Sequence, residues 1–68
     1  QGSQSIKTLI KQLPEEQREV LVLRYYADLS FKEISEMTDV SINTALGRMR
    51  YALINLRKMI DAKKIQLY

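Results

Sequence analysis

The chain has 68 residues, of which 46% are hydrophobic and 28% charged, a net charge of +3, and neither cysteine nor histidine. A chain of this size is one small domain that buries only about 60% of its unfolded surface, and the missing residue types remove disulfides, thiolate zinc sites, the commonest metal ligand and the usual general base near neutral pH. No cofactor or metal is therefore expected and the composition weighs against an enzyme; nor does any apolar run approach the roughly 18 residues of a membrane span, or any segment have the form of a signal peptide, so a cytoplasmic location with no membrane partner is expected.

Gln1-Gly2-Ser3 resembles the remnant of a protease-cleaved tag, which sets residues 1–4 outside the fold and leaves a domain over 5–63 with a tail at 64–68. Glycine and proline are nearly absent after this start, and apolar residues recur at helical spacing, so the chain is read as all-α: a small four-helix domain. A first short helix is expected over about 5–12, with Ile6, Leu9 and Ile10 on one face and Ser5 or Ser3 as its cap. Helices this short depend on packing.

Pro14 ends that element and opens the next, with Glu15 and Glu16 where the helix dipole favours negative charge. This helix is expected to run to about Tyr26, turning Val20, Leu21, Leu23 and Tyr25 toward the core while Arg24 lays its stem over them. Ala27-Asp28-Leu29 reads as a turn with Leu29 tucked inward.

Ser30 and Glu33 fit a capping box that starts a third helix over about 31–38, with Phe31, Ile34 and Met37 as its apolar side and Lys32 and Glu36 spaced to pair on the exposed side. Asp39 is a residue type able to turn the chain through a left-handed conformation, Val40 suits a core plug, and Ser41 can cap the next helix with Thr44 at its third position. A capped helix, a tight turn and a second capped helix form a helix-turn-helix, the motif that presents its second helix to the major groove of DNA.

That second helix is expected from Ile42 to about Lys63, with Ile42, Ala45, Met49, Ala52, Leu53, Leu56 and Ile60 as one stripe and Asn43, Thr44, Gly47, Tyr51, Ile54 and Lys58 opposite. Charge is uneven along the chain: residues 1–40 carry five basic groups against seven acidic ones, a balance of −2, whereas residues 41–68 carry six against Asp61 alone, a balance of +5. A polyanion would be drawn to the second part, although a solvated basic face is the plainer account of the same charges.

The candidate DNA-binding residues are Lys32, Ser41, Asn43, Thr44, Leu46, Gly47, Arg48 and Arg50. Asn43 can bond bidentately to adenine and the Thr44 methyl can meet thymine, while both also suit ordinary cap chemistry. Gly47 costs roughly 1 kcal/mol relative to alanine inside a helix; close approach of DNA would account for it, as would sequence drift. Arg48 and Arg50 are expected at phosphates, Lys32 lies on the helix that would cross the backbone, and Arg57 and Lys58 are candidates for backbone or partner contact. Leu46 and Ile54 look outward and suit packing against another surface.

The run from Leu13-Pro14-Glu15-Glu16-Gln17-Arg18-Glu19-Val20 through Leu53 resembles region 4 of sigma-70-type factors, specifically the extracytoplasmic-function group. The resemblance is carried in order by Leu13-Pro14 with Arg18, by Leu23-Arg24-Tyr25-Tyr26, by the segment from Leu29 to Ser35, and by Val40-Ser41-Ile42-Asn43-Thr44-Ala45 running to Arg48-Met49. It implies a domain that binds the promoter −35 element as double-stranded DNA, contacts the beta-subunit flap of RNA polymerase core, and can be clamped by an anti-sigma factor. Under it Ser41, Asn43, Thr44, Leu46, Gly47 and Arg48 fall on the recognition segment and Lys32 on the helix before it. The chain departs from the family where Asn43 replaces a frequent glycine, Leu46 a basic residue, Gly47 a serine, Tyr51 and Leu53 basic residues, and Asp39 a turn glycine. Another helix-turn-helix regulator, or a sigma-like interaction domain without DNA binding, would share the fold.

Overall fold

The computed structural model describes residues 6–63, and within them the chain forms four α-helices: α1 (Ile6–Ile10), α2 (Glu15–Tyr25), α3 (Phe31–Thr38) and α4 (Ile42–Lys63). The expected boundary at residues 1–4, the caps at Ser3 and Ser5 and the tail at 64–68 lie outside the described residues.

α1 is shorter than the expected span because its C-terminal end tightens. The Gln12 amide donates to Leu9 O at 2.9 Å and the Leu13 amide to Ile10 O at 3.1 Å, bonds of the narrower 3₁₀ type that bring the chain to Pro14. A residue preceding proline is in any case biased away from helical geometry. Pro14 then stands as the N-cap of α2 with φ −53° and ψ 148°, just outside the helix rather than in its first turn, and its carbonyl accepts from the Arg18 amide at 2.9 Å.

α3 starts as the sequence predicts. The Glu33 amide donates to Ser30 Oγ at 3.1 Å and the Ser30 amide donates back to Glu33 Oε1 at 2.8 Å, which completes the capping box. The helix stops at Asp39, whose φ of 59° and ψ of 45° are left-handed. The Val40 amide then reaches Ser35 O at 3.0 Å in the manner of a Schellman close, and this reversal aims α4 across α3.

The core is built on α4. Ala45, Met49, Ala52 and Leu56 are buried along one stripe, against Leu9, Ile10 and Leu13 from the first segment, Val20 and Leu21 from α2, and Ile34 from α3. Ala45 and Ala52 are fully buried at 0% exposure, and their small side chains let neighbouring helices approach closely. Leu29 and Val40 from the turns and Phe31 from the start of α3 pack against this cluster, as expected of them.

Several expected core positions lie outside. Met37 is 66% exposed, because the buried arc of α3 runs through Phe31, Ile34, Ser35 and Thr38 at helical spacing and leaves Met37 about 110° round from its centre. Ser35 takes the buried place, its hydroxyl donating to Lys32 O at 2.7 Å. Tyr25 is 65% exposed at the end of α2, Ile42 is exposed at the free N-terminal end of α4, and Leu53 is exposed on the edge of its stripe. Lys32 and Glu36 do not pair; among the described residues the ion pairs are Arg24 with Asp28 and Arg48 with Glu16. Arg24 does cover the core edge, with its guanidinium 5.5 Å from the centre of the Phe31 ring and 3.1 Å from Leu29 O.

This packing sets a direct contrast between two neighbours on α3. Ile34→Ala is expected to cost about 2–5 kcal/mol by leaving a cavity, whereas Met37→Ala should stay within about 0.5 kcal/mol of the parent. Urea denaturation followed by circular dichroism checks it, and equal losses at both positions would contradict the orientation of α3.

Candidate nucleic-acid interface

The turn before α4 fixes how its first residues are displayed. The Thr44 amide donates to Ser41 Oγ at 3.0 Å while the Ser41 hydroxyl donates to Thr44 Oγ1 at 3.0 Å, so both hydroxyls serve the cap. Asn43 stands exposed beside them and makes no side-chain hydrogen bond among the described residues. Gly47 follows one turn later: it is two residues from buried Ala45 and from buried Met49, hence about 160° round the helix from each. Asn43 and Gly47 therefore share the side turned from the core, with Thr44 and Tyr51 flanking them.

The basic candidates divide. Arg48 is largely covered, at 23% side-chain exposure, and its Nη2 lies 3.5 Å from Glu16 Oε2 in the first turn of α2. Two turns further along, Asn55 Nδ2 donates to Gln17 Oε1 at 2.7 Å in a partly buried contact. These adjacent α2 side chains tie that helix to α4, and a guanidinium with five donors keeps others free beside the carboxylate. Arg50 is exposed and unpaired among the described residues, as is Lys32 in the first turn of α3.

Ser41, Asn43, Thr44, Gly47 and Arg50 thus gather at one end of the molecule, with Lys32 on the neighbouring helix. Leu46 is there too but 43% exposed on the flank, and Arg57 and Lys58 are exposed two turns further on, beyond that cluster.

A second surface lies toward the other end of α4. Ile6, Ile10, Leu21, Tyr25, Tyr26, Leu53 and Leu56 line an apolar groove of about 310 Å³. Ile10 and Tyr26 continue from it into a shallower depression of about 200 Å³, bordered by Lys7, Lys11 and Arg18. The sequence offered only part of this surface. Tyr25 and Leu53 fit a helical apolar period and read as core, and only the placement of α1 beside α2 and α4 reveals that they border an open groove. The Glu16–Arg48 and Gln17–Asn55 pairs were likewise beyond a reading of local spacing.

Among the described residues no group of acidic side chains is placed to hold a metal, and no helix is long and apolar enough to cross a membrane. The profile of the family described as "Sigma-70, region 4" matches residues 3–53. The chain is 38% identical over 50 residues to the ECF RNA polymerase sigma factor SigK of Mycobacterium ulcerans, covering 74% of this chain and 27% of that protein. It is 36% identical over 52 residues to the proteins of the same name from Mycobacterium tuberculosis and Mycobacterium bovis, covering 76% of this chain and 28% of each relative. The chain thus spans little more than a quarter of the length of these curated relatives. No solved structure gives a significant match.

The capping box gives this region a pH dependence. The Ser30 backbone amide, and to a lesser degree its side chain, hold the Glu33 carboxyl below the usual glutamate range. A carboxyl lowered in the folded state adds stability that is present above its unfolded value and lost as pH falls through the folded one. The difference in Tm between the parent and Glu33→Gln should therefore be present at neutral pH and vanish in acid below the depressed value. A difference that persists unchanged into acid would show that the charge of Glu33 does not support the cap.

Proposed function

Since the chain belongs to the sigma-70 region 4 family, we propose that it serves transcription initiation by binding the promoter −35 element through α4 and RNA polymerase core through the apolar groove. The observation that carries the first half is the display of Asn43, Thr44 and Gly47 on the side of α4 turned from the core, immediately after a capped tight turn. A helix so placed enters the major groove with its N-terminal residues toward the base edges.

Asn43 is the residue suited to base reading, since its amide carries the donor and acceptor that match adenine. The Thr44 methyl lies beside it, while the Thr44 hydroxyl is engaged in the cap. Arg50, Lys32 and the remaining donors of Arg48 serve phosphates, which fix register without reading sequence. Arg57 and Lys58 extend the positive face along the backbone. Promoter DNA and polymerase are met in the cytoplasm, the location this reading carries with it.

The groove suits the polymerase side. Its apolar floor accepts the apolar face of a partner helix, and Lys7, Lys11 and Arg18 around the depression that continues from it favour acidic residues along that helix's flank. A flap helix of the beta subunit is the occupant proposed, and an anti-sigma factor would act by competing for the same groove.

Duplex binding followed over a range of salt concentrations tests the DNA half. Arg50→Ala is expected to weaken binding to all duplexes and to lower the salt slope by roughly 0.9, the contribution of one phosphate. Asn43→Ala should leave the slope unchanged and reduce the preference among sequences by about 1–3 kcal/mol. Binding that is insensitive to salt in the parent protein would remove the reading.

For the polymerase half, Leu53→Asp puts a charge into the groove at a position already 46% exposed. It should abolish retention of polymerase core while leaving duplex binding within about twofold, because the substitution lies off the DNA-facing end and moves the charge by one unit. Undiminished retention of core by this variant would exclude the groove as the contact.

A further inference from the structure

Gly47 stands where neither of the internal reasons for a glycine applies. No described glycine has a positive φ, so the backbone here is helical and open to any L residue. A Cβ built on Gly47 would meet nothing within 4 Å, so no neighbouring helix needs the space. The residue also lies past the first turn of a 22-residue helix, in the interior where glycine is the least favourable residue after proline.

What surrounds the gap is specific. The positions three and four residues away on a helix are its surface neighbours, and for Gly47 these are Asn43, Thr44, Arg50 and Tyr51, all exposed. The missing side chain therefore leaves a notch whose floor is the α-carbon of Gly47 and whose corners are an amide, a threonine, a guanidinium and a phenol. Tyr51 is 60% exposed and makes no side-chain hydrogen bond among the described residues.

We infer that this notch is a base-reading site: a base edge in the major groove enters the space over Gly47, so that the bare backbone brings α4 closer to the bases than a helix with a side chain there could come. Tyr51 forms its upper wall and Asn43 its lower one. The inference rests on the DNA-binding reading above and adds to it a specificity determinant that works by absence of atoms, together with a residue, Tyr51, at its border. A base edge is favoured over a phosphate as occupant because the floor offers no hydrogen-bond donor, every amide in this turn being inside the helix, and the one cation at the notch, Arg50, stands at a corner rather than on the floor. Phosphates bind where amides or cations point at them.

Gly47→Ala separates this from every structural role, since alanine is the best helix former and meets no atom here. The variant should melt about 4 °C or more above the parent. The duplex preferred by the parent is first selected from a randomised library, and fluorescence anisotropy then compares it with a scrambled duplex of the same composition. Gly47→Ala is expected to bind the preferred duplex roughly tenfold more weakly, with affinity for the scrambled duplex and the salt slope unchanged. Equal or tighter binding to the preferred duplex overturns the inference, as does an equal loss on both duplexes, which would put a phosphate over the notch. A parent protein that selects no sequence removes the DNA-reading proposal itself, an outcome read before the variant is made.

Discussion

The fold depends on one constraint: all the other helices bury themselves against a single narrow stripe of α4. Ala45, Met49, Ala52 and Leu56 recur at spacings of four, three and four residues, which keeps them within about one quarter of the helix circumference. Nothing else in the chain is long enough to serve as a common support. α1 and α3 are only five and eight residues long, below the length at which a helix holds itself together in water. Their structure exists because α4 and α2 give them an apolar surface to cover. The same narrowness leaves Asn43, Gly47 and Arg50 on the side of α4 turned from the core, and Leu53 on the edge of the stripe where it borders the groove.

The turn between α3 and α4 sets which part of α4 faces outward. Asp39 in the left-handed region and the Val40 amide on Ser35 O fix the reversal, and Ser41 then starts α4 with its own hydroxyl on the Thr44 amide. A side chain in this conformation carries a modest strain that an aspartate tolerates better than most. The strain is held by the plug of Val40 against the core and by the caps on either side. Because the reversal is short and bonded at both ends, Asn43 and Gly47 are presented on a rigid support rather than on a loop.

Much of this was legible in the chain because the signals are local. Ser30 with Glu33, Asp39, and Ser41 with Thr44 each act within four residues, and each appears in the structure in the role its chemistry predicts. The stripe on α4 was legible for the same reason. What escaped depends on where separate helices meet. Met37 and Leu53 fit a helical apolar period as well as Ile34 and Leu56 do, and only the angle at which α3 and α1 lie against α4 leaves them outside. Glu16 likewise reads as a dipole residue, and no spacing rule joins it or Gln17 to Arg48 and Asn55 on a distant helix.

Charge shows the same gap between sequence and space, and it bears directly on function. Counted along the chain, the excess of positive charge collects in residues 41–68, most of it within α4. Folded, Arg48 from that basic half lies against Glu16 from the acidic half, so part of the excess is cancelled within the molecule. Lys7, Lys11 and Arg18 from the acidic half stand together at the border of the apolar depression instead. The fold thus makes two positive regions out of a chain whose linear pattern suggests one. Exposed charges more than about 8–10 Å apart are largely screened from each other at moderate salt, so each region acts on its own neighbour. Arg50 and Lys32 meet whatever lies against the start of α4, and the α1–α2 lysines and Arg18 meet whatever enters the groove. On the proposed reading, the domain in this way meets a polyanion at one end and an acidic helix at the other without either charge pattern disturbing its partner's.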